Sequence, residues 1–100
     1  MDIKYSKVQA LRLIRRIITE GGQLVLSGHY KKRMLERGVE YSDVLRVIKK
    51  GVMLNEPEPH IRTGKLIYTI EGTTVDGARL KVPVAIYEED NEVVVVTVMN

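Results

Sequence analysis

The sequence predicts an α+β domain in which two to three N-terminal helices pack on a four-stranded antiparallel sheet. Three observations carry that prediction. Apolar residues recur at the helical period as far as Gly51, short runs rich in β-branched residues take over after it, and turn signals such as Asp76-Gly77 and Asp90-Asn91 separate those runs. The 100 residues contain no repeat, low-complexity stretch or linker, so residues 1–100 read as one domain. A chain of this size buries roughly two-thirds of its unfolded surface.

The elements follow in order. Over residues 6–19, Val8, Leu11, Ile14 and Ile18 form an apolar stripe widened by Ala10 and Ile17, with Lys7, Arg12, Arg15 and Arg16 largely off it. Glu20-Gly21-Gly22 stops this helix, and Leu24-Val25-Leu26 suits a short extended segment. Ser27 is a good N-cap and Gly38 suits the left-handed position after a helix end, which sets a second helix over 28–37. Ser42 caps a third, with Asp43 in its first turn, Lys49 and Lys50 in its last and Gly51 ending it. Val44, Leu45, Val47 and Ile48 give it a buried side. Residues 52–54, 65–70, 80–87 and 93–99 read as strands. Leu80, Val82, Val84 and Ile86 alternate with Lys81, Pro83, Ala85 and Tyr87, as a half-buried strand should. Pro83 has no N–H to give a ladder, so an edge or a bulge is expected there. The run from Val93 to Val96 is apolar at both parities and suits a central strand.

Composition narrows the chemistry. Cys is absent, which removes disulfides, thiolate catalysis and cysteine-held zinc, and fits a reducing cytoplasm. With no Trp and no Phe, the core is built from aliphatic side chains, and five Tyr are the only aromatics. The N-terminal residues lack the apolar run of a signal peptide, and no stretch approaches the ~20 apolar residues of a membrane span, so a soluble cytoplasmic domain is expected. The net charge of +3 is unevenly spread. Residues 1–51 carry twelve Lys and Arg against five acids, whereas residues 52–100 carry four against eight. A basic half joined to an acidic half suits a surface that faces a polyanion, although solvated helix faces account for the same counts.

The densest chemistry lies in Ser-Gly-His-Tyr-Lys-Lys-Arg-Met-Leu-Glu-Arg-Gly, residues 27–38. Side chains three and four apart share a helix face, so His29, Arg33, Glu36 and Arg37 line one side with Lys32 adjacent. A histidine near a helix N-terminus and beside cations favours its neutral form, which a general base requires. Arg33 and Arg37 suit phosphate oxygens, Lys31 or Lys32 suits charge developing on phosphorus, and Glu36 can orient a cation. The residues alone leave a second reading open, in which Glu36 pairs with Arg33 or Lys32 on a solvated face and His29 is structural.

The pattern Ser27-x-His29-x-x-x-Arg33-Met34-x-Glu36-Arg37-Gly38, followed by Ser42-Asp43-Val44 and Gly51, resembles a family of small bacterial domains in the RelE/ParE toxin superfamily, close to the BrnT toxins. Asp76-Gly77 before a strand and the closing Val95-Val96-Thr97-Val98 also fit, so the resemblance spans about Leu24 to the C-terminus and omits the first helix. It implies a RelE-like fold, with helices against a curled antiparallel sheet, and a partner in the form of a small antitoxin, in some cases a zinc-finger protein. RelE-type relatives cleave messenger RNA, commonly at the ribosome, without a metal or cofactor. The implied function is a toxin-like endoribonuclease, and the resemblance carries over His29, Arg33, Glu36 and Arg37 as motif positions only. The roles come from the residues themselves: His29, Arg33 and Arg37 as catalytic candidates, Lys31, Lys32, Arg62 and Arg79 as substrate contacts and Glu36 as an orienting residue. ParE-type relatives on the same fold act on a protein target, so the alternative is a non-catalytic binding module or an inactive toxin fold.

The remaining candidates are weaker. His60 lies in a Pro-rich connection and either joins Arg62 and Tyr68 at a cleft as a second acid/base or is an exposed loop histidine. Arg79 and Lys81 extend the basic surface onto the sheet or are ordinary surface charge. Residues 88–92 lack the ligand spacing of a calcium loop, and two His 31 positions apart without Cys do not suggest structural zinc.

Overall fold

Ser6 opens helix α1 (Lys7–Thr19) with a reciprocal cap. Its hydroxyl accepts from the Gln9 N–H at 3.1 Å, and its own N–H donates to Gln9 Oε1 at 3.0 Å. A computed structural model describes residues 5–99, and within that range the side chains of His29, Tyr30 and Arg33 lie outside the described residues. After α1 come β1 (Gln23–Leu26), α2 (Gly28–Arg37), α3 (Tyr41–Lys50), β2 (Glu58–Pro59), β3 (Leu66–Thr73), β4 (Arg79–Tyr87) and β5 (Glu92–Val95). The class is α+β, with three helices and a five-stranded sheet ordered β1-β5-β4-β3-β2.

The sheet is mixed rather than wholly antiparallel, because β1 runs parallel to β5 while the other neighbours are antiparallel. The expected count of four fails on both sides. Residues 23–26, read as a short extended segment, form a full edge strand. Residues 52–54 contribute only a bridge between Val52 and Glu71, and the strand of that region is Glu58–Pro59. The run at 93–96 does take an interior place, between β1 and β4.

One face of the sheet carries the core. Leu80, Val82, Val84, Ile86, Val93, Val95, Tyr68 and Ile70 are buried there beneath Ala10, Leu13, Ile14 and Ile17 of α1 and Val44, Val47 and Ile48 of α3. Each fully buried aliphatic side chain contributes about 1.5–3 kcal/mol by leaving water. The α1 stripe is rotated from its expected setting. Val8 is 68% exposed, Leu11 and Ile18 are half-buried, and Leu13 takes an inner place. Arg15, beside the stripe and half-buried, crosses to α3. Its Nε donates to the Ile48 carbonyl at 2.9 Å and its Nη2 to the Gly51 carbonyl at 2.8 Å, placing a cation on carbonyls the helix cannot satisfy. Helix α3 is capped by Glu40 rather than Ser42: Glu40 N–H donates to Asp43 Oδ2 at 3.0 Å, and Ser42 falls within the first turn.

Pro83 lies in interior strand β4 and is buried, so it is not at an edge. The other expectation, a bulge, fits. Val84 pairs with Val95, yet Lys81 pairs with Met99, so the register slips by one residue between the two pairs. Val96 N–H still donates to the Pro83 carbonyl at 2.9 Å. Proline cannot return that bond, and the Val96 carbonyl accepts instead from the Ser27 hydroxyl at 2.7 Å. The slip turns Val98 into the core and leaves Met99 on the opposite face.

Two stability predictions follow from these contacts. A Cβ at Gly51 would overlap the backbone carbonyls of Val47 and Glu71, whereas one at Gly28 meets nothing within 4 Å. Gly51→Ala should lower stability by about 1–3 kcal/mol in urea titration, and Gly28→Ala should leave the midpoint unchanged or raise it. Ser27→Ala should cost about 1–2 kcal/mol by orphaning the Val96 carbonyl.

Candidate functional site

The second face of the sheet is only partly covered. Register places Val25, Val94, Ala85 and Ile67 in one row across it, followed by Pro83 and Thr69, then Lys81 and Glu71, then Arg79 and Thr73. The connection of residues 55–62 rises beside this face and walls off a cleft of about 640 Å³. His60, Arg62, Glu71, Lys81 and Met99 line it, with Pro83 among the residues beneath. A second hollow of about 440 Å³ holds Arg79 and shares Glu71 and Lys81 with the first, so the two meet at that pair.

The local backbone fixes these side chains. Glu71 is held on both strand edges: it pairs with Lys81 on one side and exchanges backbone bonds of 2.7 and 2.9 Å with Val52 on the other. Lys81 exchanges bonds of 2.6 and 3.0 Å with Met99. Residues directly opposite across antiparallel strands have Cβ atoms about 4.5–5.5 Å apart. The Glu71 carboxylate and the Lys81 ammonium nevertheless do not close into an ion pair, which leaves both half-buried groups available.

His60 is oriented by a tight loop. Its N–H donates to the Lys65 carbonyl and its carbonyl accepts from Gly64 N–H, both at 2.8 Å; Gly64 takes φ 72° there. Its Nδ1 accepts from the Arg62 N–H at 3.2 Å. A backbone N–H can only donate, so the proton of the neutral ring sits on Nε2. Held this way, the His60 Nε2–H is offered as a hydrogen-bond donor.

The arrangement brings together some of the expected residues and separates others. His60 and Arg62 share the cleft, and Arg79 lies in the adjoining hollow. Tyr68 does not join them. It belongs to the alternate parity of β3 and is buried on the helix-covered face, where its hydroxyl accepts from Tyr5 N–H at 3.0 Å. Lys31, Lys32, Glu36 and Arg37 are exposed on α2, and none of them lines either hollow. The side chains of His29 and Arg33 lie outside the described residues. Helix α2 is anchored by half-buried Met34 and by Val39, whose N–H donates to the Met34 carbonyl at 3.0 Å across the left-handed Gly38. Leu35 on the same helix is 87% exposed.

Glu71 is not among the residues the sequence singles out, and Lys81 enters there with Arg79 either as an extension of the basic surface onto the sheet or as ordinary surface charge. The available signal was parity: with Arg79 and Lys81 on one face of β4, a charged residue at the facing place on β3 belongs beside them. Among the described residues, no group of three or more His, Asp or Glu could hold a metal ion, and no helix is long and apolar enough to cross a membrane.

Residues 26–100 match a family defined as a domain of unknown function (DUF4258). The chain belongs to that family. No curated protein and no solved structure matches it. The match takes in α2, α3 and β2 to β5, and so every residue lining the cleft; it leaves out α1 and most of β1.

The turn carrying Arg79 is clipped to α3 by Asp43. One carboxylate oxygen accepts from Val75 N–H and the other from Glu40 N–H, both at 3.0 Å. These two bonds, Val75 first, lower the Asp43 pKa below its ordinary 3.8. A depressed folded pKa stabilises above the unfolded value and loses that contribution as pH falls through the folded one. Asp43→Asn should therefore lower the urea midpoint at neutral pH, and the gap from the parent should close as the pH is taken below about 3.8.

Proposed function

We propose that this DUF4258 domain is a toxin-like, metal-independent endoribonuclease of the RelE type that works through the open-face cleft. The supporting observation is the cleft itself, where the Glu71 carboxylate and the Lys81 ammonium occupy directly opposed strand positions, with Arg62 and His60 as further donors and Glu56 and Glu58 also in the lining. Cleavage of RNA by its own ribose needs these roles. The Glu71 carboxylate takes the proton of the 2′-hydroxyl as the 2′-oxygen bonds to phosphorus. The bond from phosphorus to the 5′-oxygen breaks, and the Lys81 ammonium gives that oxygen its proton, leaving a 2′,3′-cyclic phosphate and a 5′-hydroxyl. Arg62 and the His60 Nε2–H donate to the phosphoryl oxygens as charge builds there. Solvent returns both proton-transfer groups to their starting states. On this reading the exposed cations of α2 contact RNA outside the cleft.

The resemblance to RelE-type toxins supports the same reading and adds a small antitoxin as partner. Ile61, 101% exposed on the rim of the cleft, gives such a partner an apolar foothold beside the site it would close.

Purified protein incubated with messenger RNA in EDTA, alone and with ribosomes, should produce cyclic-phosphate ends. Glu71→Gln and Lys81→Gln should each lower the rate by about 10²-fold or more, the usual scale for losing a proton-transfer group. If His29→Ala and Arg33→Ala abolish cleavage while Glu71→Gln and Lys81→Gln leave it unchanged, the chemistry belongs to α2 instead. Growth arrest on induction with messenger RNA left intact in both settings would favour a protein target.

A further inference from the structure

The cleft accounts for Lys81 but not for Arg79 or the hollow around it. Arg79 and Lys81 stand two residues apart on β4, so their side chains leave the same face about 6.7 Å apart. That is close to the spacing of consecutive phosphates along a single strand of nucleic acid. The hollow holding Arg79 opens directly from the cleft at Glu71 and Lys81, and exposed Val52 and Leu54 supply an apolar wall. Its base is rigid: Thr73 pairs with Arg79 across β3 and β4, and the turn beyond closes with Thr74 N–H donating to the Ala78 carbonyl at 2.8 Å. Asp43 fixes the same turn from α3. A cation held at that distance, on that face, beside an apolar wall fits a nucleotide next to the reacting one.

We infer that the groove holds two adjacent phosphates of single-stranded RNA, the reacting one at Lys81 and its neighbour at Arg79, with the sugar and base between them against Val52 and Leu54. This rests on the reading of the cleft as an RNA site. It makes Arg79 a binding residue for a specific second phosphate rather than one of several interchangeable surface cations. The shortest RNA to bind well is then a trinucleotide, which has two phosphates, and not a dinucleotide, which has one.

The test uses 2′-O-methyl oligouridylates of two, three and five residues, which lack the attacking hydroxyl, with binding followed by fluorescence anisotropy over a range of salt. Affinity should rise about tenfold from the dinucleotide to the trinucleotide, the scale of one charge-assisted contact. Arg79→Gln should erase that step while leaving dinucleotide affinity within about twofold. It should also reduce the salt slope of log K for the trinucleotide by about 0.7, the value for one phosphate on a single strand. Equal weakening of dinucleotide and trinucleotide by Arg79→Gln, or affinity independent of length, would overturn the two-phosphate groove and leave the RNA reading standing. No binding by any of the three oligomers would overturn both. Thermal unfolding of the variant, matched to the parent, separates a lost contact from a lost fold.

Discussion

Pro83 occupies an interior strand with no N–H to contribute, and the chain around it is arranged to absorb that deficit. The ladder between β4 and β5 stops being regular at this point. Val96 turns its carbonyl to the Ser27 hydroxyl, which ties the last strand to the residue that leads into α2. The register slips, Val98 enters the core, and Met99 comes to rest on the opposite face beside Lys81. Removal of one donor thus decides how the C-terminal strand ends, where the second helix is anchored and what lines one side of the cleft.

The two faces of the sheet then divide the work. The face under α1 and α3 is aliphatic apart from Tyr68 and supplies stability by excluding water. The other face keeps Ala85 and Pro83 covered but leaves Thr69, Glu71 and Lys81 half-buried. Partial burial strengthens the field of a charged group without imposing the full desolvation cost of the interior. A carboxylate and an ammonium facing each other there, both on strands paired on each side, are placed by backbone hydrogen bonds rather than by their own attraction.

Much of this was legible before the structure. The helix bounds at 28–37 follow from Ser27 and Gly38, and the alternation along residues 80–87 separates buried Leu80, Val82, Val84 and Ile86 from Lys81. What escaped was long-range. Nothing local in Leu24-Val25-Leu26 says that its partner is Val93-Val94-Val95, nearly seventy residues on, or that the pairing is parallel. Glu58-Pro59 reads as part of a Pro-rich connection because proline and glutamate disfavour strands, and pairing with β3 overrides that preference. Ser42 was the better capping residue type, yet Glu40 won because Asp43 reaches back to its N–H. The meeting of Glu71 and Lys81 in the cleft depends on strand register, which spacing along the chain does not encode.

Arg15 carries a different kind of consequence. Helix α1 precedes the stretch that defines the family, yet it covers half of the aliphatic face and reaches across to the last carbonyls of α3. The shared unit is therefore not self-contained as a physical object. It is a portable half-shell whose lid is supplied by sequence outside it. In this chain, the matched stretch without α1 would leave those aliphatic side chains open to water and the end of α3 without its cation. The matched stretch contains every residue lining the cleft. The fold that supports the cleft begins earlier.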